Sequence, residues 1–252
     1  MIEVKGLVKS FAGRTVLHDV DATFGNGQCN MIIGMSGSGK TVLLKNLIGL
    51  MSPDGGDILY DGDSLVAMDE QRRKALHQHI GVLFQGSALF DFATVIENVM
   101  FPMNFFTDWS EAQKRERARF CLEKVNIVGS DDKYPSELSG GMQKRVGIAR
   151  AIALSPKYLF CDEPNSGLDP YTSILIDQLI SDLTREFDMT TVINTHDMNS
   201  MLEIGDHICF INGGTIEWTG DRHSILHTES AALKEFICAN TLARNIMEGR
   251  GE

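Results

Sequence analysis

Gly34-Met35-Ser36-Gly37-Ser38-Gly39-Lys40-Thr41 decides how the rest of the chain is read. It matches G-x-x-x-x-G-K-[ST] in full, and at ordinary residue frequencies a chance match in a chain of this length is on the order of one in a hundred. Before it runs the short apolar stretch Cys29–Ile33; after it, Lys40–Leu50 has apolar residues at helical spacing. A strand before and a helix after is the context this pattern requires. Glycines let backbone N–H groups turn inward around phosphate oxygens, and the following helix adds the positive end of its dipole. Gly34, Met35, Ser36, Gly37, Ser38, Gly39, Lys40 and Thr41 are therefore expected to cradle a nucleoside triphosphate. Lys40 would neutralise the β- and γ-phosphates and the Thr41 hydroxyl would ligate Mg²⁺.

Composition bounds the possibilities around that loop. The chain has 252 residues, 43% hydrophobic and 23% charged, enough for one large core and ordinary for a globular protein. Its 34 acidic residues outnumber 23 basic ones, giving a formal charge of −11. Such a surface repels polyanions, so nucleic acid is not expected as a direct ligand, nor is electrostatic docking on anionic lipid. The five cysteines (Cys29, Cys121, Cys161, Cys209, Cys238) lack CxxC spacing and read as reduced thiols of a cytosolic protein. The longest stretches without formal charge, Ala22–Gly39 and Ala75–Phe90, are too polar to supply the ~18–20 apolar residues of a spanning helix. Met1–Lys5 has no apolar signal core, so membrane attachment is expected to run through a protein partner.

Read for pattern, residues Ile2–Phe24 give short alternating runs broken by glycine, the mark of antiparallel strands. Asp57–Tyr60 reads as a short strand, Asp69–Gln78 as a helix and Ile80–Phe84 as a buried strand. From about Gly86 to Leu154 the chain turns helical, with one helix at Ser110–Val125, capped by Ser110, and another at Gly140–Leu154. Strands return at Tyr158–Cys161, Thr190–Asn194 and His207–Asn212, with a helix at about Tyr171–Phe187. Alternation of this kind predicts an α/β fold with a mostly parallel sheet, the helical stretch inserted on one side. An amphipathic helix is expected at about Glu229–Met247.

A phosphate loop needs a carboxylate at the end of a neighbouring parallel strand. Tyr158-Leu159-Phe160-Cys161-Asp162-Glu163 supplies an apolar run closing in two acids. Asp162 is read as reaching Mg²⁺ through water, and Glu163 as the general base that orients the attacking water.

These motifs, taken with Leu138-Ser139-Gly140-Gly141-Met142-Gln143, resemble the ATP-binding-cassette (ABC) ATPases, whose signature is LSGGQ; Met142 stands where the pattern has glutamine. Gln85 resembles the family's Q-loop glutamine, Ser166-Gly167-Leu168-Asp169 its D-loop and His196 its switch histidine. Phe11, with Val16 nearby, stands where the family stacks an aromatic on adenine, although Phe11 alone would read as core. The resemblance covers about Val4–Ile225. It implies a P-loop NTPase with a RecA-like, mostly parallel core, an N-terminal antiparallel β subdomain and an inserted helical subdomain at about 86–154. On that reading residues 1–225 form the ATPase domain and 226–252 a helical tail. It also implies ATP and Mg²⁺ as cofactors, with Gln85 joining Thr41 and Asp162 at the metal, and Gln85 and His196 joining Lys40 and Glu163 in catalysis. Ser139, Gly140, Gly141 and Asp169 would meet nucleotide held by a second copy, in a head-to-tail homodimer around two ATP.

Within the family, Leu83-Phe84-Gln85-Gly86-Ser87-Ala88-Leu89-Phe90-Asp91 and Val95-Ile96-Glu97-Asn98-Val99-Met100-Phe101-Pro102-Met103 resemble the ATPases of Mla/MCE phospholipid transporters. That implies integral-membrane permease partners, an MCE-domain lipid-binding partner, and a place on the cytoplasmic face of a bacterial inner membrane. The same apolar, Met/Phe-rich stretch suits a groove for a permease helix, or simple packing of the helical subdomain. Asn165 and Gly167 depart from the Thr and Ala common after the acid pair. The alternatives are an importer ATPase for another small solute, a non-transport ABC ATPase, and a non-hydrolysing cassette. Many sugar and methionine importers add a C-terminal regulatory domain, for which the residues after 225 leave no room.

Overall fold

Alternation and apolar runs set the strands of this computed structural model, which describes residues 1–239. In chain order come β1 (Ile2–Phe11), β2 (Arg14–Phe24), β3 (Gln28–Ile33), α1 (Lys40–Leu47), β4 (Gly55–Tyr60), β5 (Asp63–Ser64), α2 (Glu70–Gln78) and β6 (Ile80–Leu83). Three helices follow without an intervening strand: α3 (Val95–Phe106), α4 (Glu111–Lys124) and α5 (Gly140–Ala151). Then come β7 (Tyr158–Asp162), α6 (Pro170–Glu186), β8 (Thr190–Thr195), α7 (Met198–Ile204), β9 (His207–Asn212), β10 (Thr215–Gly220) and α8 (Ala231–Cys238).

The N-terminal strands form an antiparallel sheet in the order β2-β1-β4-β5. The second sheet runs β10-β9-β3-β8-β7-β6, parallel throughout except where β10 turns back on β9. Its central strands are apolar on both faces, as a covered parallel sheet requires. Met31, Leu159 and Phe210 face one core, shared with α3, α4 and α5; Ile32, Phe160 and Ile211 face the other, shared with α1 and the antiparallel sheet. Every parallel strand therefore delivers its C-terminal end to one edge, the position where α/β sheets bind ligands.

Several expectations shift in detail. The helix expected over Gly140–Leu154 stops at Ala151, where a turn and Ser155-Pro156 cannot continue it. Phe84 lies just beyond β6. Four elements were not individually legible: β5 and α7, of two and seven residues, are too short to show a period, and α3 and β10 escape for other reasons. α3 is apolar on most faces and carries Pro102 in its interior, so neither periodicity nor composition marks it. β10 is short and alternately exposed, although Gly213-Gly214, both at positive φ, is a hairpin-turn signal that could have found it. The expected tail helix is present as α8, Ala231–Cys238; its expected continuation beyond residue 239 lies outside the described residues. No described helix is long and apolar enough to cross a membrane.

Candidate active site

β3 is buried from Cys29 to its end at Ile33, and the loop to α1 begins at Gly34. The loop is held tight against its surroundings. A Cβ on Gly34 would lie 2.3 Å from the Ile211 carbonyl oxygen, and one on Gly39 2.9 Å from Leu17 Cδ2. Gly39 also sits at φ +110°, the residue before α1, so glycine is needed here for both space and backbone freedom. Lys40 is buried and donates to the carbonyls of Gly34 (2.8 Å) and Met35 (3.0 Å). Burial lowers its pKa, and the nearby carboxylates of Glu163 and Asp162 oppose that shift. Ser38 Oγ is buried with no hydrogen-bond partner among the described residues. A closed loop of glycines with an orphaned hydroxyl and a buried ammonium fits a bound polyphosphate, which would offer each of them an oxygen.

β7 and β8 bring the acids alongside. Asp162, at the end of β7, pairs in register with Asn194 of β8 and accepts from its Nδ2 at 3.1 Å. Glu163 follows at φ +50°, a sparsely populated conformation for a residue with a side chain. Its N–H donates to the Asn194 carbonyl (2.9 Å) and its own carbonyl accepts from the Ser166 N–H (3.1 Å). This turn points the carboxylate at His196, just past β8, whose Nδ1 lies 2.9 Å from Oε1 and 2.8 Å from Oε2. Gln85, after β6, donates through Nε2 to Ser166 Oγ at 3.3 Å. The main chain there is clamped by α5: Lys144 Nζ donates to the Gln85 carbonyl, and the Arg150 guanidinium to those of Ser87 and Ala88.

A cavity of about 850 Å³ gathers these groups. Val16, Gly34, Met35, Ser36, Gly37, Gly39, Lys40, Thr41, Gln85, Glu163 and His196 all line it. Asp162 is half-buried behind this surface. Phe11 is not among the lining residues: it is 41% exposed at the tip of the β1–β2 hairpin, with Lys9 Nζ 5.5 Å from its ring. It is therefore not the core residue it would be taken for on pattern alone. Ser139, Gly140, Gly141 and Asp169 do not reach the cavity either. Ser139 caps α5, accepting from the Met142 N–H at 3.3 Å. Asp169 caps α6, accepting from the Thr172 N–H (3.0 Å) and hydroxyl (2.5 Å), bonds that hold its carboxyl below the usual range. Sequence reasoning missed Val42, Met198, Phe236 and Ala239 as lining residues. Met198 could have been suspected from its place just after His196-Asp197; Phe236 lies on α8 and Ala239 caps its C-terminal end, and neither carries a motif.

The fold and the loop define an ATPase of the cassette type, and comparison with known proteins agrees. The ABC transporter family model matches residues 17–166. The chain is 36% identical over 236 residues to the probable ribonucleotide transport ATP-binding protein mkl of Mycobacterium leprae, spanning 94% of this chain and 68% of that protein. It is 36% identical over 242 residues to the methionine import ATP-binding protein MetN 2 of Pseudomonas syringae pv. tomato, covering 94% and 72%. Among solved structures it resembles a dimeric ATP-binding cassette in a post-hydrolysis state bound to ADP and Pi, at a TM-score of 0.80, 30% identity and 88% and 99% coverage. It also resembles cbiO1 of Clostridium perfringens, part of the ABC transporter complex cbiONQ, at a TM-score of 0.84, 27% identity and 98% coverage of both chains. The chain belongs to the ABC transporter family, as an ATP-binding subunit that hydrolyses ATP to power transport.

Proposed function

We propose that ATP lies in this cavity with its phosphates in the Gly34–Thr41 loop, and that Glu163 is the base that orients the attacking water. The observation that carries this reading is the contact of Glu163 with His196, 2.8 Å apart, on a cavity also lined by Lys40. Lys40 would give up its bonds to the Gly34 and Met35 carbonyls for β- and γ-phosphate oxygens. His196 fixes the Glu163 carboxylate and senses the γ-phosphate, while Val16 and Phe11 take the adenine side. Thr41, Gln85 and Asp162 would hold Mg²⁺; hydroxyl, amide and one carboxylate suit an ion that keeps several waters. Its charge would offset that of the phosphates. Glu163→Gln keeps the shape but removes the base, so turnover should fall at least about 100-fold with ATP still bound. Turnover at the parental rate would refute the assignment.

We further read residues 1–225 as the ATPase unit, with 86–154 as its helical insertion and the remainder as a tail. Ser139, Gly140, Gly141 and Asp169 lie outside their own cavity, which supports a head-to-tail pair in which each chain completes its neighbour's site. ATP then acts as interfacial glue that hydrolysis loosens. Exposed Phe84 and Phe101 line a largely apolar cavity of about 350 Å³ together with Ile80, Val82, Phe90 and Leu154, and exposed Phe92 and Phe105 pack against Phe90 and Phe101. That surface suits a helix of a membrane permease, which would bring the chain to the cytoplasmic face of a bacterial inner membrane. On the Leu83–Asp91 and Glu97-Asn98-Val99 patterns the cargo is phospholipid, with an MCE-domain partner. The MetN relative favours a second reading, import of a small solute. Proteins co-purifying from the native membrane decide: a permease with an MCE-domain chain supports lipid transport, and a periplasmic solute-binding protein overturns it.

A further inference from the structure

Asp177 is a buried carboxylate that the chemistry above does not use. It sits on α6, 2% exposed, inside a closed hydrogen-bond triangle. Asn165 Nδ2 lies 2.9 Å from each of its oxygens, Ser200 Oγ donates to Oδ2 at 2.7 Å, and Asn165 Nδ2 is 3.0 Å from Ser200 Oγ. The donor count closes: one amide proton serves the carboxylate, the other serves Ser200, and the hydroxyl proton returns to the carboxylate. Asn165 follows Glu163 by two residues, in the loop where Glu163 is held at φ +50°. Ser200 follows His196 by four, in α7. The triangle therefore ties the segment after the acid to the segment after the histidine, through one group on a third element. An apolar residue in its place would fill the space without the desolvation a carboxylate incurs.

We propose that Asp177 is a positioning residue for ATP hydrolysis. By accepting from Asn165 and Ser200 it fixes the Glu163 loop against α7 and so sets the approach of Glu163 to His196. This rests on the reading of Glu163 as base given above.

The test uses the full-length chain with Mg-ATP, measuring kcat, KM and binding of a fluorescent ATP analogue, with thermal unfolding to give the folded fraction. Asn165→Thr keeps a donor towards Asp177; Asn165→Val has nearly the same shape and none. Asp177→Ala and Asn165→Val should each lower kcat about 10-fold or more while KM and nucleotide binding stay within about twofold, and Asn165→Thr should retain most of kcat. Should Asp177→Ala fail to fold, the Asn165 pair decides. Equal kcat for Asn165→Val and Asn165→Thr, or losses matching the unfolded fraction, would overturn the proposal. Glu163→Gln is run beside them: if it is inactive while Asn165→Val is fully active, only the role of Asp177 fails. If Glu163→Gln turns over normally, the base assignment itself fails.

Discussion

Glu163 and Gly34 show how the site is built from backbone as much as from side chains. Glu163 takes a left-handed conformation, which costs on the order of 1–3 kcal/mol, and two main-chain bonds to Asn194 and Ser166 hold it there. Gly34 sits where a Cβ would press on the Ile211 carbonyl at 2.3 Å and on Ser38 Oγ at 2.8 Å. Gly34→Ala should accordingly lower stability by about 2 kcal/mol or more and weaken nucleotide binding together, measured by urea unfolding and by titration with an ATP analogue. A stable variant with normal affinity would mean that the loop opens more readily than its packing implies. The Gly34–Thr41 loop, the Asp162-Glu163 pair and His196 were legible because each sits in a motif with a strand end beside it. Asp177, Asn165 and Phe236 were not. Their roles depend on which helices pack over the strand ends, and no local pattern in the sequence carries that.

At the scale of elements, caps and clamps explain patterns that resemblance alone leaves bare. Glu97 closes a capping box with Thr94, and buried Asn98 binds back to Phe90, Ala93 and Thr94. The Glu-Asn-Val run thus starts α3 and pins the loop before it. Thr94→Ala should cost about 1 kcal/mol of stability with kcat unchanged, read from urea unfolding and steady-state hydrolysis. Ser110 is legible as a cap because α4 is polar and strongly helical. α3 is not legible in the same way, because Pro102 and its apolar faces imitate a buried loop.

Asp177 on α6 makes a prediction about pH. Burial raises its pKa from 3.8 to about 6; the bonds from Ser200 and Asn165 oppose the rise, and the negative charges of Asp197 and Glu203 add to it. A folded-state pKa above the unfolded one means that the folded chain takes up the proton first. Stability from this group is therefore complete below about pH 4 and is lost as pH rises through about 6. Relative to Asp177→Asn, the parental chain should gain up to roughly 3 kcal/mol between pH 7 and pH 4, read from urea midpoints. A pH-independent difference would contradict the buried, ionisable state of this carboxylate.

For the whole molecule, the parallel sheet collects the loop, the acids and the histidine at one edge, while the Ser139-Gly140-Gly141 tip caps a helix outside that cavity. The order of motifs made this architecture legible. The separation between the tip and the cavity is a matter of folded geometry and could be expected only through the family resemblance. Hydrolysis would therefore depend on two chains enclosing nucleotide together. The most direct test is the mass of Glu163→Gln in solution by light scattering, with and without Mg-ATP, alone and combined with Ser139→Arg. Glu163→Gln should shift from monomer to a dimer holding two ATP, and the double variant should bind ATP yet stay monomeric. A Glu163→Gln chain that stays monomeric when saturated with ATP, or a double variant that dimerises equally well, would contradict it.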